Sequence, residues 1–510
     1  MKKFLALFLV LAMLCTALVA FSSCDDEEAV DSEAAQADPY TTLMKAELNT
    51  MLKFFFSDDD AKEIIKNASS KGSYTLDMGA CEAFGNSLEK YTTKGYIDTE
   101  KNMSVSEAII KADGLDYTQI LYRTPETLIF KNDALLDKAL KIDFTTLDEK
   151  FKTSEIVDIL KDEGLSAQEL ETVEDILAEM KEILTASYAD TVKTINEFLT
   201  IFIDDITEET IKIDDTSYDC IKMPISINKS GVKKFIEKIF DMAEVPEKDE
   251  ALEYINEMIN SFDNNTKLDM DVYIDTETTS FVQIDINAKL GALNALVYGS
   301  YSEEIPTITG AIKFGEDRII FDGSYNMGSE SFLLEGEIVK KTDGDDTTFS
   351  YSLSTGYKGS NNANGNTELV SGKITYNSDS GDVKITASVA GMDTVSVKAN
   401  FSVSDDKVIF ALKSASFDGE TLSINATLTI DAAAEAPSAP TGAVDVLSLS
   451  AEELAELVSS FGGFGMGAYD EDYEEGYDDL YDDLYDDLYD DLYGDELYYA
   501  TEDITEGAIA

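Results

Sequence analysis

Few types of residue in this chain could take part in catalysis or bind a metal. Histidine is absent from all 510 residues, and four cysteines supply the thiols. Because imidazole is the usual general base near neutral pH and the commonest metal ligand, its absence excludes Ser/His/Asp and Cys/His catalysis and the zinc sites that contain histidine. Paired carboxylates could hydrolyse glycosides, but among 102 acidic residues such a pair arises by chance. We therefore expect a protein that is not an enzyme and carries neither a cofactor nor a metal centre.

Cys24 is the cysteine with the most informative surroundings. Two lysines follow Met1, residues 4–21 contain no charge, and two serines stand directly before Cys24. A positive start followed by an apolar run and small residues is typical of a secretory signal. The end of this run, Phe-Ser-Ser-Cys, resembles the lipobox of bacterial lipoproteins, with phenylalanine where the family usually has leucine, valine or alanine.

The resemblance implies that residues 1–23 are a signal peptide, that the Cys24 thiol is diacylated, and that lipid anchors the protein to the extracytoplasmic face of the cell membrane. Two other interpretations stay open: an ordinary secretory signal with Cys24 as a plain thiol, and an uncleaved span, since about 17–25 apolar residues cross a bilayer. Residues 24–38 are acidic and lack any basic residue. We expect this stretch to be a solvated tether.

Net charge restricts the partners of this protein. At −63, the chain repels nucleic acid and anionic lipid surfaces, so we expect no nucleic-acid partner. The expected contact with the membrane is through the lipid anchor alone. The charge permits three kinds of partner: a hydrophobic ligand, a cationic partner, and divalent cations at the acidic tail.

Two cysteines belong to the expected mature body, because Cys15 would leave with the signal peptide. Outside the cytoplasm Cys81 and Cys220 could form a disulfide bond. The alternative, which we favour, is that both are buried thiols that pack as small apolar residues.

Apolar residues at steps of three and four predict several amphipathic helices. One begins after Pro39, and the strongest covers 166–202 with Ser166 and Glu169 as a capping box at its start. The helix over 166–202 is either a lid over an apolar cavity or, as we favour, a helix packed on a sheet. Shorter helices are expected over 230–242, 249–262 and 448–461, the last with a capping box at Ser450 and Glu453.

Strand patterns fill the region from 266 to 431. Apolar and polar residues alternate between turn sequences, and Asp-Gly-Asp-Asp at 343–346 predicts a hairpin turn. An earlier strand near 218–227 contains Pro224, which suits the edge of a sheet. Alternation predicts one dry face and one wet face, as in an antiparallel meander that curls. The clearest dry face is formed by Val395, Val397, Ala399, Phe401 and Val403.

We predict an α+β fold in which a large curved antiparallel β-sheet packs against amphipathic helices, with disordered acidic ends. This layout resembles half-barrel lipoproteins related to the carrier LolA, and the resemblance implies that acyl chains could lie between sheet and helices. The expected divisions are the signal peptide (1–23), the tether (24–38), a mixed helical and strand region (39–265), the meander (266–431), a linker with an amphipathic helix (432–468) and an acidic tail (469–510).

The tail repeats Tyr-Asp-Asp-Leu with a period of four. In a helix the tyrosines and leucines would share one side, yet repulsion between the aspartates opposes that helix. We predict that the tail is disordered alone and folds when a cationic partner or divalent cations neutralise it. Its spacing does not match an EF-hand calcium loop.

The sequence thus predicts a lipid-anchored extracytoplasmic lipoprotein that acts as a non-enzymatic binding or scaffold protein. One alternative is a carrier of lipid or another hydrophobic ligand, with the dry sheet face as its pocket. A carboxylate-dependent hydrolase ranks last. A large unfilled apolar cavity between sheet and helices would favour the carrier, and a filled core would favour the scaffold.

Overall fold

A computed structural model shows how the chain folds. Cys24, Cys81 and the acidic tail lie outside the residues that it describes. The chain divides into two compact units, Met1–Ser448 and Leu449–Ala510. The described residues are 30–56, 71–79, 88–112, 115–134, 138–162, 164–242, 252, 255, 256, 259, 266–289, 305–327, 330–358, 365–389, 394–404, 407–417 and 420–457.

One sheet of 20 strands dominates the described part of the first unit. The strands, in chain order, are β1 (Lys71–Gly79), β2 (Leu88–Asp98), β3 (Met103–Ala112), β4 (Leu115–Arg123), β5 (Thr127–Asn132), β6 (Leu140–Asp143), β7 (Thr207–Ile213), β8 (Thr216–Asn228), β9 (Lys267–Asp275), β10 (Phe281–Lys289), β11 (Thr307–Phe314), β12 (Arg318–Met327), β13 (Glu330–Asp343), β14 (Asp346–Lys358), β15 (Gly365–Asn377), β16 (Asp382–Val389), β17 (Val395–Ser404), β18 (Lys407–Phe417), β19 (Glu420–Asp431) and β20 (Val444–Asp445).

Consecutive strands pair antiparallel from β7 to β19 and again from β1 to β6. The two series join because β1 pairs with β19, where Tyr74 lies opposite Ile430. Beyond β6, the short strand β20 adds a parallel pair. We call the end of the sheet that holds the β7–β8, β9–β10, β11–β12 and β13–β14 turns the lower end, and the opposite end the upper end.

The predicted α+β class is wrong, because the described chain is mostly one large antiparallel sheet and the helices are its smaller part. Sequence patterns separated a mixed region (39–265) from the meander (266–431), but the pairing of β1 with β19 places strands from both regions in the same sheet. Residues so distant in sequence leave no local pattern that reveals their pairing. The hairpin predicted at 343–346 is confirmed, since Asp343 pairs with Asp346.

Pro224 does not mark the edge of the sheet. Strand β8 lies between β7 and β9, and Pro224 is opposite Asp271 of β9. The ladder with β7 ends at Lys222, and the carbonyl of Pro224 accepts the N–H of Asp204 at 3.0 Å on that side. In an antiparallel strand the N–H and C=O of one residue face the same neighbouring strand. Pro224 therefore faces the β7 side, where the β7–β8 ladder has already ended, and its missing N–H breaks no ladder hydrogen bond.

The described helices of the first unit are α1 (Ser32–Ala37), α2 (Pro39–Phe55), α3 (Leu147–Phe151), α4 (Glu155–Asp162), α5 (Ala167–Thr185), α6 (Tyr188–Leu199) and α7 (Lys229–Met242). Part of the predicted tether (24–38) is not a solvated spacer, because residues 32–37 form helix α1. Asp31 caps it by accepting the N–H of Ala34 at 2.7 Å, and Ala35 is completely buried. Small alanine side chains let this acidic segment approach the sheet closely, so the residues from Val30 onward belong to the folded body.

Helix α2 lies inside the curl of the sheet. Its Ala46 packs with Ile221 of β8, and its Leu52 packs with Phe401 of β17 and Val408 of β18. In a flat sheet, ten strand spacings of about 4.8 Å would separate β8 from β18 by about 48 Å. A helix with its side chains is only about 10–12 Å wide. The sheet must therefore curl around α2, which fills the space between distant strands.

Hydrogen bonds fix the position of α2 along the sheet. The side-chain amide of Asn49 donates to the carbonyls of Thr278 and Thr279 at 3.1 and 3.0 Å. A bulge follows Phe281 in the β9–β10 ladder, and the N–H of Phe281 donates to the Thr50 hydroxyl at 2.7 Å. Side chains of α2 thus hydrogen-bond to backbone groups at the β9–β10 turn, where the strand ladder is interrupted.

The single helix predicted over 166–202 is broken into α5 and α6. The capping box of Ser166 and Glu169 is confirmed, and a second box begins α6 at Ser187. Between them, the side-chain amide of Asn102, from the β2–β3 turn, donates to the carbonyls of Thr185 and Ala186 at 2.8 and 2.9 Å. These hydrogen bonds satisfy carbonyl groups at the end of α5. Because the donor comes from a distant part of the chain, the helical periodicity of residues 166–202 could not show the break.

Helix α5 packs in a small helical cluster. Its Leu170 contacts Phe151 of α3 and Val157 of α4, whereas the sequence favoured packing on the sheet. The helix predicted over 230–242 is confirmed as α7, whose Phe235 contacts Phe198 of α6 with ring centroids 5.1 Å apart.

For two further predicted helices, the structure describes only some of the residues. Of residues 249–262, the described positions 252, 255, 256 and 259 are helical. In the second unit, residues 451–457 are helical. There the Ser450 hydroxyl accepts the Glu453 N–H at 3.3 Å and the Glu453 carboxylate accepts the Ser450 N–H at 3.0 Å, which confirms the predicted capping box.

Truncation of α2 tests its role in the core. Leu52 is 3% exposed and Met51, its neighbour on the same helix, is 47% exposed. We expect Leu52→Ala to lower the free energy of unfolding by about 2–5 kcal/mol, because it leaves a cavity between helix and sheet. Met51→Ala should change it by less than about 0.5 kcal/mol. Urea unfolding measures both, and equal effects would contradict the enclosed position of α2.

Candidate functional site

Within the described residues, the concave face of the sheet has a half that helix α2 covers and a half in which Phe332 and Ile308 are exposed to solvent. Helix α2 covers the lower half, where its Phe54 contacts Phe349 of β14 with ring centroids 5.6 Å apart. Tyr357 lies eight residues further along β14. Because side chains alternate with a period of two, Tyr357 points to the same face, about 27 Å closer to the upper end. The upper half of this face is the candidate functional site.

Three aromatic rings cross the upper half on neighbouring strands. Phe332 of β13 lies directly opposite Tyr325 of β12 and Tyr357 of β14. Its ring centroid is 6.2 Å from that of Tyr325 and 5.1 Å from that of Tyr357. We call these residues the aromatic strip. Their cross-strand contacts hold the rings in a row, as expected for directly opposed positions in an antiparallel sheet.

The aromatic strip is accessible to solvent. Phe332 is 47% exposed, and Ile308, opposite Tyr325 on β11, is 37% exposed. Towards the covered half, Leu353 packs over Gly336, where an added Cβ would lie 3.1 Å from the leucine methyl. Exposed apolar side chains grouped in this way are typical of surfaces that bind a ligand or a partner.

A shallow cleft lies at the lower end of the sheet. It is lined by Lys53 of α2, Tyr218 of β8, Ser280 and Glu316, and its empty volume, open mouth included, is about 420 Å³. Burial raises the pKa of the Tyr218 phenol, and the nearby Glu316 carboxylate adds to the rise. Glu316 is the one carboxylate among the lining residues, whereas glycoside hydrolysis needs two. The cleft therefore does not provide the pair that a carboxylate hydrolase requires.

Cys220 is a buried free thiol on β8, and it is 1% exposed. It packs with Ile213, Tyr273 and Val282. The thiol of Cys220 is thus free and buried, and Cys81, the other half of the disulfide that the sequence left open, lies outside the described residues. Burial raises the pKa of this thiol to about 12, and the Asp275 and Asp219 carboxylates add to the rise.

The sequence-predicted sites and the aromatic strip do not coincide. Cys24, the predicted lipid attachment site, and Cys81 lie outside the described residues, as does the acidic tail. The aromatic strip was not predicted, although the alternation in β12–β14 shows that each ring belongs to an apolar face. A signal for part of the strip was present: the hairpin predicted at 343–346 fixes the register of β13 against β14, and that register places Phe332 opposite Tyr357.

Two properties of the described residues concern metals and membranes. No three Cys, Asp or Glu side chains within them are grouped as metal ligands would be. In the same part of the chain, we find no helix whose length and apolar character would let it cross a bilayer.

Comparison with known proteins gives little. No protein-family model and no curated protein matches the chain. Among solved structures, a mutant Rh. blastica porin matches 71% of this chain and 98% of its own at 8% identity, with a TM-score of 0.23. OmpT, an outer membrane protein of Vibrio cholerae, matches 71% of this chain and 96% of its own at 8% identity, with a TM-score of 0.12. Overlap this small assigns neither a fold family nor a function.

The buried thiol predicts a pH dependence of stability. In the unfolded chain a cysteine ionises near pH 8.5, whereas Cys220 in the folded protein keeps its proton to about pH 12. Between these values the folded state binds more protons, so stability falls as pH rises, by up to about 1.4 kcal/mol per pH unit.

Comparison with Cys220→Ala isolates this contribution. The free energy of unfolding, measured from about pH 8.5 to 10.5, should fall more steeply for the natural protein than for the variant. In a Cys81→Ser background, a thiol reagent at neutral pH should label Cys220 only after unfolding. Equal slopes, or rapid labelling of Cys220 in the folded protein, would contradict the assignment.

Proposed function

We propose that this protein is a lipid-anchored, extracytoplasmic, non-enzymatic binding or scaffold protein. The anchor rests on Cys24 and the signal-like residues before it. The binding or scaffold role rests on one observation: α2 fills the covered half of the concave face with Leu48, Leu52 and their partners on the sheet. A filled core supports the sheet from inside, so its outer surfaces can bind partners, which is the property expected of a scaffold.

A carrier of lipid or another hydrophobic ligand is the second candidate. The observation that favours it is the aromatic strip, where Phe332 is half-exposed between Tyr325 and Tyr357. An apolar ligand lying on these rings would be removed from water at one side only. We rank this function second, because the enclosed half of the face is occupied by the chain's own helix.

Lipidation is tested by intact mass of the protein taken from membranes. We expect a mature chain that begins at Cys24 and carries acyl groups, and incorporation of labelled fatty acid that is lost in Cys24→Ala and kept in Cys81→Ala. The cysteine thiol is the acylated group, so no other side chain can replace it. A natural protein that retains Met1, or one with an unmodified Cys24, would overturn the anchor.

Ligand binding at the aromatic strip is tested with a fluorescent fatty acid. If the protein is a carrier, Phe332→Ala should weaken binding roughly tenfold, which corresponds to about 1.4 kcal/mol of lost apolar contact. Leu333→Ala, on the opposite face of β13, is the matched control and should leave binding unchanged. Equal loss in both variants would place the ligand elsewhere, and no binding to the natural protein would leave the scaffold role alone. Native mass spectrometry of the purified mature protein reports any lipid that co-purifies.

A further inference from the structure

We infer that the lower end of the sheet faces the membrane at close range and that the aromatic strip opens on the opposite side. The inference rests on the proposed lipid anchor at Cys24. It adds the orientation of the body and the surface that meets the bilayer, neither of which the anchor alone specifies.

The first described residues are attached to the lower end. The N–H of Val30 donates to the carbonyl of Thr276 in the β9–β10 turn at 3.2 Å. Further along, the hydroxyl of Ser32 donates to Glu208 at 3.3 Å, and the side chain of Gln36 accepts the N–H of Ile206 at 3.1 Å. Val30 is thus held at the lower β9–β10 turn, and the residues after it are held by β7 and the residue that precedes β7.

The turn that receives Val30 is itself well supported. The carboxylate of Asp275 accepts the N–H of Thr278 at 3.1 Å, and the Asn49 side chain of α2 binds the carbonyls of Thr278 and Thr279. A pull on the chain before Val30 is therefore transmitted to both the sheet and its central helix. The point of attachment moves with the body.

The distance between the lipid and this point is short. Cys24 and Val30 are six residues apart, and a fully extended chain spans about 3.5 Å per residue, so Val30 lies within about 20 Å of the lipidated residue. Strand β13 has 14 residues, which at about 3.3 Å per residue makes this strand about 45 Å long. The upper end is therefore beyond the reach of the anchor when the lower end is near the bilayer.

The membrane-facing end is strongly acidic. Its turns on β7–β14 carry Asp214, Asp215, Glu277, Glu316, Asp317 and Asp345. Arg318 pairs with Asp214 at 2.7 Å and Lys212 pairs with Asp215 at 3.6 Å, which offsets part of this charge. Like charges repel across a distance set by salt, about 8 Å at 0.15 M and about 30 Å at 0.01 M. An anionic bilayer should therefore push the body outward against its short tether, whereas a zwitterionic bilayer should not.

The test is energy transfer from the anchored protein to an acceptor dye in the lipid headgroups. Protein with its natural anchor, in a Cys81→Ser background, is placed in vesicles and labelled at Asp345→Cys, in the lower β13–β14 turn, or at Ser230→Cys, next to the upper end of β8. Cys220 is buried and does not react. Transfer from the lower label should be at least about twofold higher, since the two labels lie at opposite ends of strands that are about 45 Å long.

Lowering the salt provides the second measurement. On vesicles with anionic lipid, transfer from the Asp345→Cys label should fall between about 0.15 M and 0.01 M salt, and on zwitterionic vesicles it should not change. Equal or reversed transfer from the two labels would overturn the orientation, and a rise at low salt would overturn the acidic facing surface. Intact mass separates the two hypotheses: missing acyl groups overturn the anchor and the orientation together, whereas acylated protein with the wrong transfer overturns the orientation alone.

Discussion

The enclosure of α2 by the curled sheet is the packing constraint on which the rest of the structure depends. One helix meets strands as distant as β8 and β18 through Ala46 and Leu52. Its apolar side chains are buried on more than one side, as expected of a central core helix rather than of a surface helix with a single apolar stripe. The sheet is stable in this curled form because the helix replaces water over its lower concave half.

This constraint divides the molecule into regions with different roles. The same segment that fills the sheet begins at Val30, a few residues after the proposed lipid attachment, so the anchor and the core are continuous in the chain. The upper half of the face, beyond the reach of α2, exposes the aromatic strip around Phe332. Val30, which follows the proposed attachment site, and the exposed apolar surface thus lie at opposite ends of one sheet.

Predictions that depended on neighbouring residues did well. The capping boxes at Ser166 and Ser450, the hairpin at 343–346 and the alternating face of β17 involve residues that are close in the chain. Predictions that depended on distant contacts failed. The helix over 166–202 is broken where Asn102 binds its middle, and Ala35 of the expected tether is buried against β8 and β9.

By itself, the sequence determined the chemistry that is excluded, the positions of most helices and turns, and the signal-like start with Cys24. Tertiary structure decided the fold class, the free state of Cys220 and the existence of the aromatic strip. The physical reason is that side-chain periodicity, capping and hairpin register are local, whereas the pairing of β1 with β19 and the exposure of Phe332 depend on how distant parts of the chain come together. Those contacts form only when the whole sheet curls around its helix.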